Sequence, residues 1–382
     1  MLLLVAGPTH AEVNVLFRVT VPESTPGDAV VFIAGDFQSW QPGDPDFQLE
    51  KKDAHLWEIV LPLNAGQAVQ FKFTLGDWEH VEKGPQGQEI QNRLHRVASP
   101  EVLDLAVAGW AQGGTRRSTL TGNITLVEVP DFLDGRRVWV YLPPGYETNQ
   151  GGRYPVLYMM DGQNVFDDAT SFAGEWKVDE TLEELIPAGV VAPLIVVAVA
   201  NGGDRRGHEY TPWYSSSREF GGGGGKHLKA WIDVLLPFID ENYPTLTGPE
   251  NTGLAGSSFG GLMTLYGAYT HPDVFGRCGS FSPSIMFAGG RLPDMIADRT
   301  KPDIMLYVDM GTREWGNLQD KDANGVDDNI DSLRRLNDTL TEQGFVGDWD
   351  LLLVEGEGHR HNESFWAQRF PDAMRFLFPG GT

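Results

Sequence analysis

A chain of 382 residues exceeds one ordinary domain, and a hydrophobic fraction of 41% with 11 Trp and 20 Phe gives ample apolar surface for a large core and a second unit beside it. The formal charge of −24 excludes a nucleic-acid surface, which needs clustered Lys and Arg, and suits neutral partners such as sugars. With Cys278 as its sole cysteine the chain forms no internal disulfide, and the thiol reads as a small buried hydrophobe.

Residues 1–12 open with the apolar run MLLLVAGPTHA. It reads either as a strand-like or irregular leader or as the tail of a secretory signal without its basic front, which would place the protein outside the cytoplasm, secreted or periplasmic. The run is too short to span a membrane, and no other stretch suggests a membrane partner.

Residues 13–107 change to short alternating strands, at 15–20, 30–34, 57–61 and 69–74, separated by turns. That spacing predicts a small all-β sandwich. Trp57 falls on the core side of its strand, whereas Trp40 and Trp78 stand beside turn residues, where an indole either packs or offers a flat apolar platform to the C–H face of a pyranose. With GDFQSW at 35–40, FKFTLGDWE at 71–79 and Asn92-Arg93, this stretch resembles starch-binding or glycogen-binding carbohydrate-binding modules. The resemblance implies that Trp40 and Trp78 stack on sugar rings.

Residues 108–118, with Gly-Gly and Arg-Arg, read as a linker, and an α/β domain is expected over 119–382. Strands are expected at 137–142, 156–160 and 194–200, and an amphipathic helix at 229–243. The fully apolar VLYMM at 156–160 suits a strand buried on both faces, so the fold class is α/β with a mainly parallel, doubly covered sheet. The organising stretch is NTGLAGSSFGGLMTLY at 251–266, a G-x-S-x-G element between an apolar run and a potential helix. On such a turn the glycines remove clashing Cβ atoms and the backbone pushes the serine Oγ outward, which makes Ser258 the candidate nucleophile. A serine needs a base and an orienting carboxylate, which on this kind of scaffold follow in the order Ser, acid, His. Strand DIMLYVDM at 303–310 runs into Gly311-Thr312-Arg313-Glu314, and strand LLLV at 351–354 into a polar loop with His359 and His361.

The series YLPPGY at 141–146, YPVLYMMDGQNVFD at 154–167, GEW at 174–176, GSSFGG at 256–261, FSPS at 281–284, GTRE at 311–314 and HNESFW at 361–366 resembles the esterase family of α/β-hydrolases that takes in feruloyl and acetyl carbohydrate esterases and the enterochelin esterases. The resemblance implies a serine esterase with His361 as base, in preference to His359, and Glu314 as acid, with Asp309 as the alternative. It also departs from the pattern at Met160, where many relatives carry a histidine. In this architecture the backbone N–H groups of Phe259 and Gln163 form the oxyanion hole. A carbohydrate ester or polysaccharide is the expected partner. A siderophore esterase of the enterochelin type, or an inert glycan-binding protein, are the competing readings.

Trp176 and Trp213 are candidates to line the ester pocket, and Gly221 to Gly225 read as a flexible crossing near it. No cofactor is expected for catalysis. Residues 320–331, however, place Asp320, Asp322, Asn324, Val326 (through its carbonyl), Asp328 and Asp331 with calcium-loop spacing around Gly325, which predicts a structural Ca²⁺ site or else an acidic turn capping the next helix.

Overall fold

The computed structural model describes residues 12–38, 40–85, 87, 90, 92–111, 118–149, 151–171, 174–316 and 318–381. The expected leader, apart from Glu12, and residues 112–117 of the expected linker lie outside them. The chain divides into two compact units, Met1–Thr115 and Arg116–Thr382.

The first unit is built from short strands, as the alternation predicts. Glu12–Thr20 lies between Leu56–Asn64 and Glu101–Ala106 in a four-stranded sheet, and Ala68–Thr74 lies between Phe32–Gly35 and Arg93–Arg96 in a three-stranded one. Val15, Phe17 and Trp57 from the first sheet and Ile33, Phe71 and Phe73 from the second share one core. Trp57 is buried there, since period-two alternation turns every other side chain inward.

The second unit holds an eight-stranded sheet. Its strands are β1 Asn123–Val127, β2 Val138–Leu142, β3 Val156–Met160, β4 Ile195–Val199, β5 Thr252–Ser257, β6 Arg277–Phe281, β7 Met305–Gly311 and β8 Leu351–Gly356. They lie in the order β1-β2-β4-β3-β5-β6-β7-β8, antiparallel at the first two pairings and parallel thereafter. β3 shows why its sequence is apolar throughout: Val156, Tyr158 and Met160 enter the core on one face, Leu157 and Met159 that on the other.

Besides a single helical turn at Arg206–Glu209, the helices among the described residues are α1 Val178–Leu185, α2 Gly224–Ala230, α3 Leu236–Asn242, α4 Phe259–Thr270, α5 Phe287–Ala297, α6 Asp328–Glu342 and α7 Glu363–Leu377. α1 and α7 cover one face, and α2 to α6 the other. α2 and α3 form the expected helix of 229–243, but a π turn at Trp231–Leu235 joins them. Pro237 has no N–H to give to the ladder, and the chain reaches it through this wider turn.

The glycine run is packed, in contrast to the flexible crossing expected. A Cβ on Gly221 would stand 2.3 Å from the Trp213 carbonyl oxygen, and one on Gly224 2.7 Å from Met263 Sδ and 2.8 Å from the Pro212 nitrogen. Glycine is there for close approach of backbones.

Candidate active site

Across β5, β6, β7 and β8, Ser257, Phe281, Asp309 and Val354 stand in one line of register, so the segments that follow all leave from the carboxyl edge of the sheet. That edge is where open α/β sheets bind ligands. Ser258 follows β5 with φ 59° and ψ −117°, a conformation disfavoured for any residue with a Cβ, and α4 begins immediately after it. The turn is held by backbone bonds: Ser258 N–H donates to the Phe281 carbonyl at 3.0 Å, and the N–H groups of Leu262 and Ser284 donate to the Ser258 carbonyl at 3.0 Å each. A Cβ on Gly256 would meet the Gly260 backbone at 2.9 Å, and one on Gly261 the Phe281 carbonyl oxygen at 2.9 Å, so both positions require glycine for the strand and helix to close. Ser258 itself remains partly exposed.

Glu314 lies in the loop after β7 and is 1% exposed. Its Oε2 pairs with His361 Nδ1, and its Oε1 accepts from the Ser282 hydroxyl at 2.8 Å and from Gly311 N–H at 2.5 Å. Burial alone would push this carboxyl up, but the His361 charge and the bonds from His361, Ser282 and Gly311 outweigh it and hold the group below the usual carboxylate range. The loops after β7 and β8 are joined by backbone bonds, His361 N–H to Glu314 O at 3.0 Å and Arg313 N–H to His359 O at 3.1 Å. Gly311 allows their approach, since a Cβ there would lie 2.2 Å from the His359 carbonyl oxygen.

The alternative acid and base belong to a separate pair. Arg369 donates through NH1 to His359 Nδ1 at 3.0 Å and through NH2 to Asp309 Oδ1 at 3.0 Å, while its Nε lies 2.9 Å from Asp309 Oδ2. Tyr307 OH and Ser282 N–H also donate to Asp309, which is fully buried. Burial raises the Asp309 carboxyl despite these partners, and burial together with the Arg369 cation lowers the His359 imidazole. Ser282 links the two groups: besides donating to Glu314, its Oγ accepts from Trp366 Nε1 at 3.0 Å and Arg369 NH2 at 2.9 Å.

On the other side, Asp161, Gly162, Gln163 and Asn164 turn away from β3. Asp161, at φ 56°, accepts from Arg206 Nε (2.7 Å) and NH2 (2.8 Å) and from Asn201 Nδ2 (2.7 Å). Gln163 Oε1 accepts from Asn201 N–H at 3.1 Å. A Cβ on Gly162 would collide with the β4 backbone at 2.6 Å. Phe259 is the first residue of α4, so its N–H has no acceptor four residues back within the helix. Its ring packs on Phe220 and Phe287, with centroids 5.8 and 5.2 Å apart.

Trp176 is corrected from pocket lining to core. It is 2% exposed and packs on Phe281 (4.8 Å between ring centroids) and Trp366 (5.5 Å), because so large an apolar ring gains most between β6 and α7. Trp213 is half-buried, edge-on to Tyr266 with Arg291 over its ring. In the first unit the half-buried rings of Trp40 and Trp78 lie 6.3 Å apart at 39°. Sequence reasoning missed Trp315, whose ring lies 4.7 Å from that of His361, and Ser282. A tryptophan directly after the acid and the FSPS element were the available signals.

The loop expected to hold Ca²⁺ closes on itself through hydrogen bonds. Asp320 accepts from Asn324 and Gly325 N–H, Asn324 Nδ2 donates to Asp322 and Asp331, and Val326 N–H donates to Asn324. Asp328 is paired with Lys321 at 2.8 Å, and Asp327 caps α6. Among the described residues no group of three or more His, Cys, Asp or Glu side chains is arranged to hold a metal ion, and no helix is long and apolar enough to cross a membrane.

Residues 133–377 match the family model described as "Putative esterase". The chain belongs to this esterase family. Its members are serine carboxylic-ester hydrolases of α/β-hydrolase fold, and so is this chain. The uncharacterized protein YbbA of Bacillus subtilis (strain 168) is 26% identical over 248 residues, 64% of this chain and 92% of YbbA. An endo-1,4-beta-xylanase/feruloyl esterase of Xylanibacter ruminicola is 29% identical over 229 residues, 58% of this chain and 26% of that protein. In fold, the esterase is similar to the enterobactin esterase FES of Shigella flexneri, solved in the presence of enterobactin, with a TM-score of 0.54 at 15% identity over 95% of this chain and 92% of that one.

Proposed function

We propose that this esterase cleaves carbohydrate-linked esters of the feruloyl or acetyl type with Ser258 as nucleophile, His361 as base and Glu314 as the orienting acid. The pairing of His361 Nδ1 with the buried Glu314 carries this reading, because it leaves Nε2 with the lone pair a general base needs. Ser258 Oγ attacks the ester carbonyl while its proton passes to Nε2, and Phe259 and Gln163 N–H groups bind the oxyanion. The carbon–oxygen bond to the alcohol then breaks, and that alcohol takes the proton from Nε2. Water attacks the acyl-serine with its proton going to Nε2, the acid departs, and Ser258 regains its proton. A short path of bonds supports the assembly: Ser258 is hydrogen-bonded to Phe281 and Ser284, and Ser282 between them holds Glu314. The similarity to a xylanase/feruloyl esterase favours a plant-polysaccharide ester. The Trp40–Trp78 pair supports a glycan-docking role for the first unit.

A siderophore ester is the second reading, favoured by the likeness to an enterobactin esterase along 95% of the chain. The charge of −24 opposes an anionic ferric complex. Turnover of acetylated, feruloylated and catecholate-siderophore esters discriminates the two. Ser258→Ala should abolish turnover of p-nitrophenyl acetate and labelling by a fluorophosphonate with the thermal melt unchanged, and retained turnover removes the proposed nucleophile.

A further inference from the structure

Asn164 and Glu363 are 199 residues apart in sequence, yet Asn164 Nδ2 donates to Glu363 Oε1 at 2.9 Å in a buried hydrogen bond. The two side chains are 5% and 6% exposed. A carboxylate kept out of water is costly without compensation, and here it stands as the first residue of α7, where the positive end of the helix dipole offsets part of that cost. Its place is defined, since Asn362 caps the same helix by accepting from Phe365 N–H.

The positions of these two residues in the chain matter. Asn164 directly follows Gln163, the proposed oxyanion donor, and its own N–H donates to Asp161 O at 2.8 Å to close that turn. Glu363 comes two residues after His361, the proposed base. The opposite side of the donor turn is fastened to the 201–210 segment through Asn201, Arg206 and Tyr210, whose hydroxyl accepts from Asp161 N–H at 3.1 Å. None of those bonds reaches the base loop. The Asn164–Glu363 bond does.

We propose that the Asn164–Glu363 hydrogen bond is a positioning contact that couples the oxyanion-donor turn to the base loop, so that Gln163 N–H and His361 Nε2 address one and the same carbonyl. The proposal rests on the assignment of Ser258, His361 and Gln163 given above. Both residues act through their neighbours and neither meets the substrate.

The full chain carrying Asn164→Asp, and the double variant Asn164→Asp with Glu363→Gln, test it with p-nitrophenyl acetate and a fluorophosphonate. Asn164→Asp sets two carboxylates against each other, whereas the double variant returns one donor and one acceptor to the same gap with their roles exchanged. A misplacement of about 1 Å costs up to about 100-fold, so Asn164→Asp should lower kcat roughly 10- to 100-fold with KM within about twofold, and the double variant should regain about tenfold. The rate of Ser258 labelling should fall and recover in step. A residue needed only for stability would lower the melting temperature without this split between kcat and KM or the recovery. If kcat of Asn164→Asp stays within about twofold of the parent, or the double variant is no faster than Asn164→Asp, the coupling is overturned. Should Asn164→Asp not fold, Asn164→Ala removes the bond without adding charge and carries the same expectation and the same refutation. Turnover by Ser258→Ala would instead remove the assignment on which the proposal stands, so the two failures are distinct.

Discussion

His359 and His361 are separated by one residue, and replacing each by alanine in turn should divide their roles sharply. A neutral imidazole has one nitrogen lone pair. At His359 it is taken, because Nδ1 accepts from Arg369 NH1 at 3.0 Å and Nε2 must then carry the hydrogen. At His361 Nδ1 faces the Glu314 carboxylate as donor, and the lone pair falls on Nε2. His359→Ala therefore removes one hydrogen bond to a charged group, worth about 1.5–3 kcal/mol of stability. Arg369 keeps Asp309 and Ser282, so the effect on kcat should be within about threefold. His361→Ala removes the proposed base, and loss of a triad base costs on the order of 10⁴ to 10⁶ in kcat, or roughly 5 to 8 kcal/mol of barrier at about 1.4 kcal/mol per decade. Steady-state kinetics on p-nitrophenyl acetate with a parallel thermal melt give both quantities. A loss of kcat in His359→Ala equal to or larger than that in His361→Ala would refute the lone-pair argument and return the choice of base to the other histidine.

Two further outcomes follow from buried charge. Arg369→Met removes the cation paired with the buried Asp309 carboxyl, which should cost about 3–5 kcal/mol in urea unfolding, and a change below about 1 kcal/mol would contradict the pairing. Glu314 has its folded pKa held below the usual value near 4.3, so its contribution to stability is present above that pH and is lost as pH falls through the lower folded value. The gap in urea midpoint between the parent and Glu314→Gln should accordingly narrow between pH 7 and pH 3, and a gap that widens on acidification would reverse the sign of this reasoning.

Most of the sheet was legible because burial on both faces demands unbroken apolar runs. The expectations at 156–160 and 194–200 match β3 and β4 to within a residue, and the run at 303–310 overlaps β7. β1 gave no such signal: as an edge strand with mostly exposed side chains, Asn123–Val127 needs no apolar face. Chain order and loop position put forward the serine, the carboxylates and the histidines as candidates. They could not decide between neighbours such as Glu314 and Asp309, whose distinguishing partners, His361 and Arg369, lie 47 and 60 residues away in sequence. The same limit applies to tryptophan. Trp176 and Trp213 both stand beside glycines or turn residues in sequence, and only packing on Phe281 and Trp366 separates a core ring from one at a surface. Spacing put forward a cation for 320–331, and only the structure shows that Asp328, one of the six expected ligands, is paired with Lys321.

The carboxyl edge of the sheet shows a pattern that bears on why Oγ of Ser258 is the free group. The first residue after β3, after β5 and after β6 is in each case a non-glycine residue in the left-handed region: Asp161 at φ 56°, Ser258 at 59° and Ser282 at 40°. Each such residue costs on the order of 1–3 kcal/mol and persists only where its surroundings over-determine it. At Asp161 the offset comes through the side chain, in a two-pronged pair with Arg206. At Ser282 it again comes through the side chain, which bonds Glu314, Trp366 and Arg369. Ser258 is held differently, by backbone bonds to Phe281, Leu262 and Ser284, and its side chain makes no capping bond to α4. All three turns are thus held by main-chain bonds, but at Asp161 and Ser282 the side chains are engaged as well, whereas at Ser258 the main chain supplies the bonds. That difference leaves the Ser258 hydroxyl uncommitted, as its proposed role of nucleophile requires.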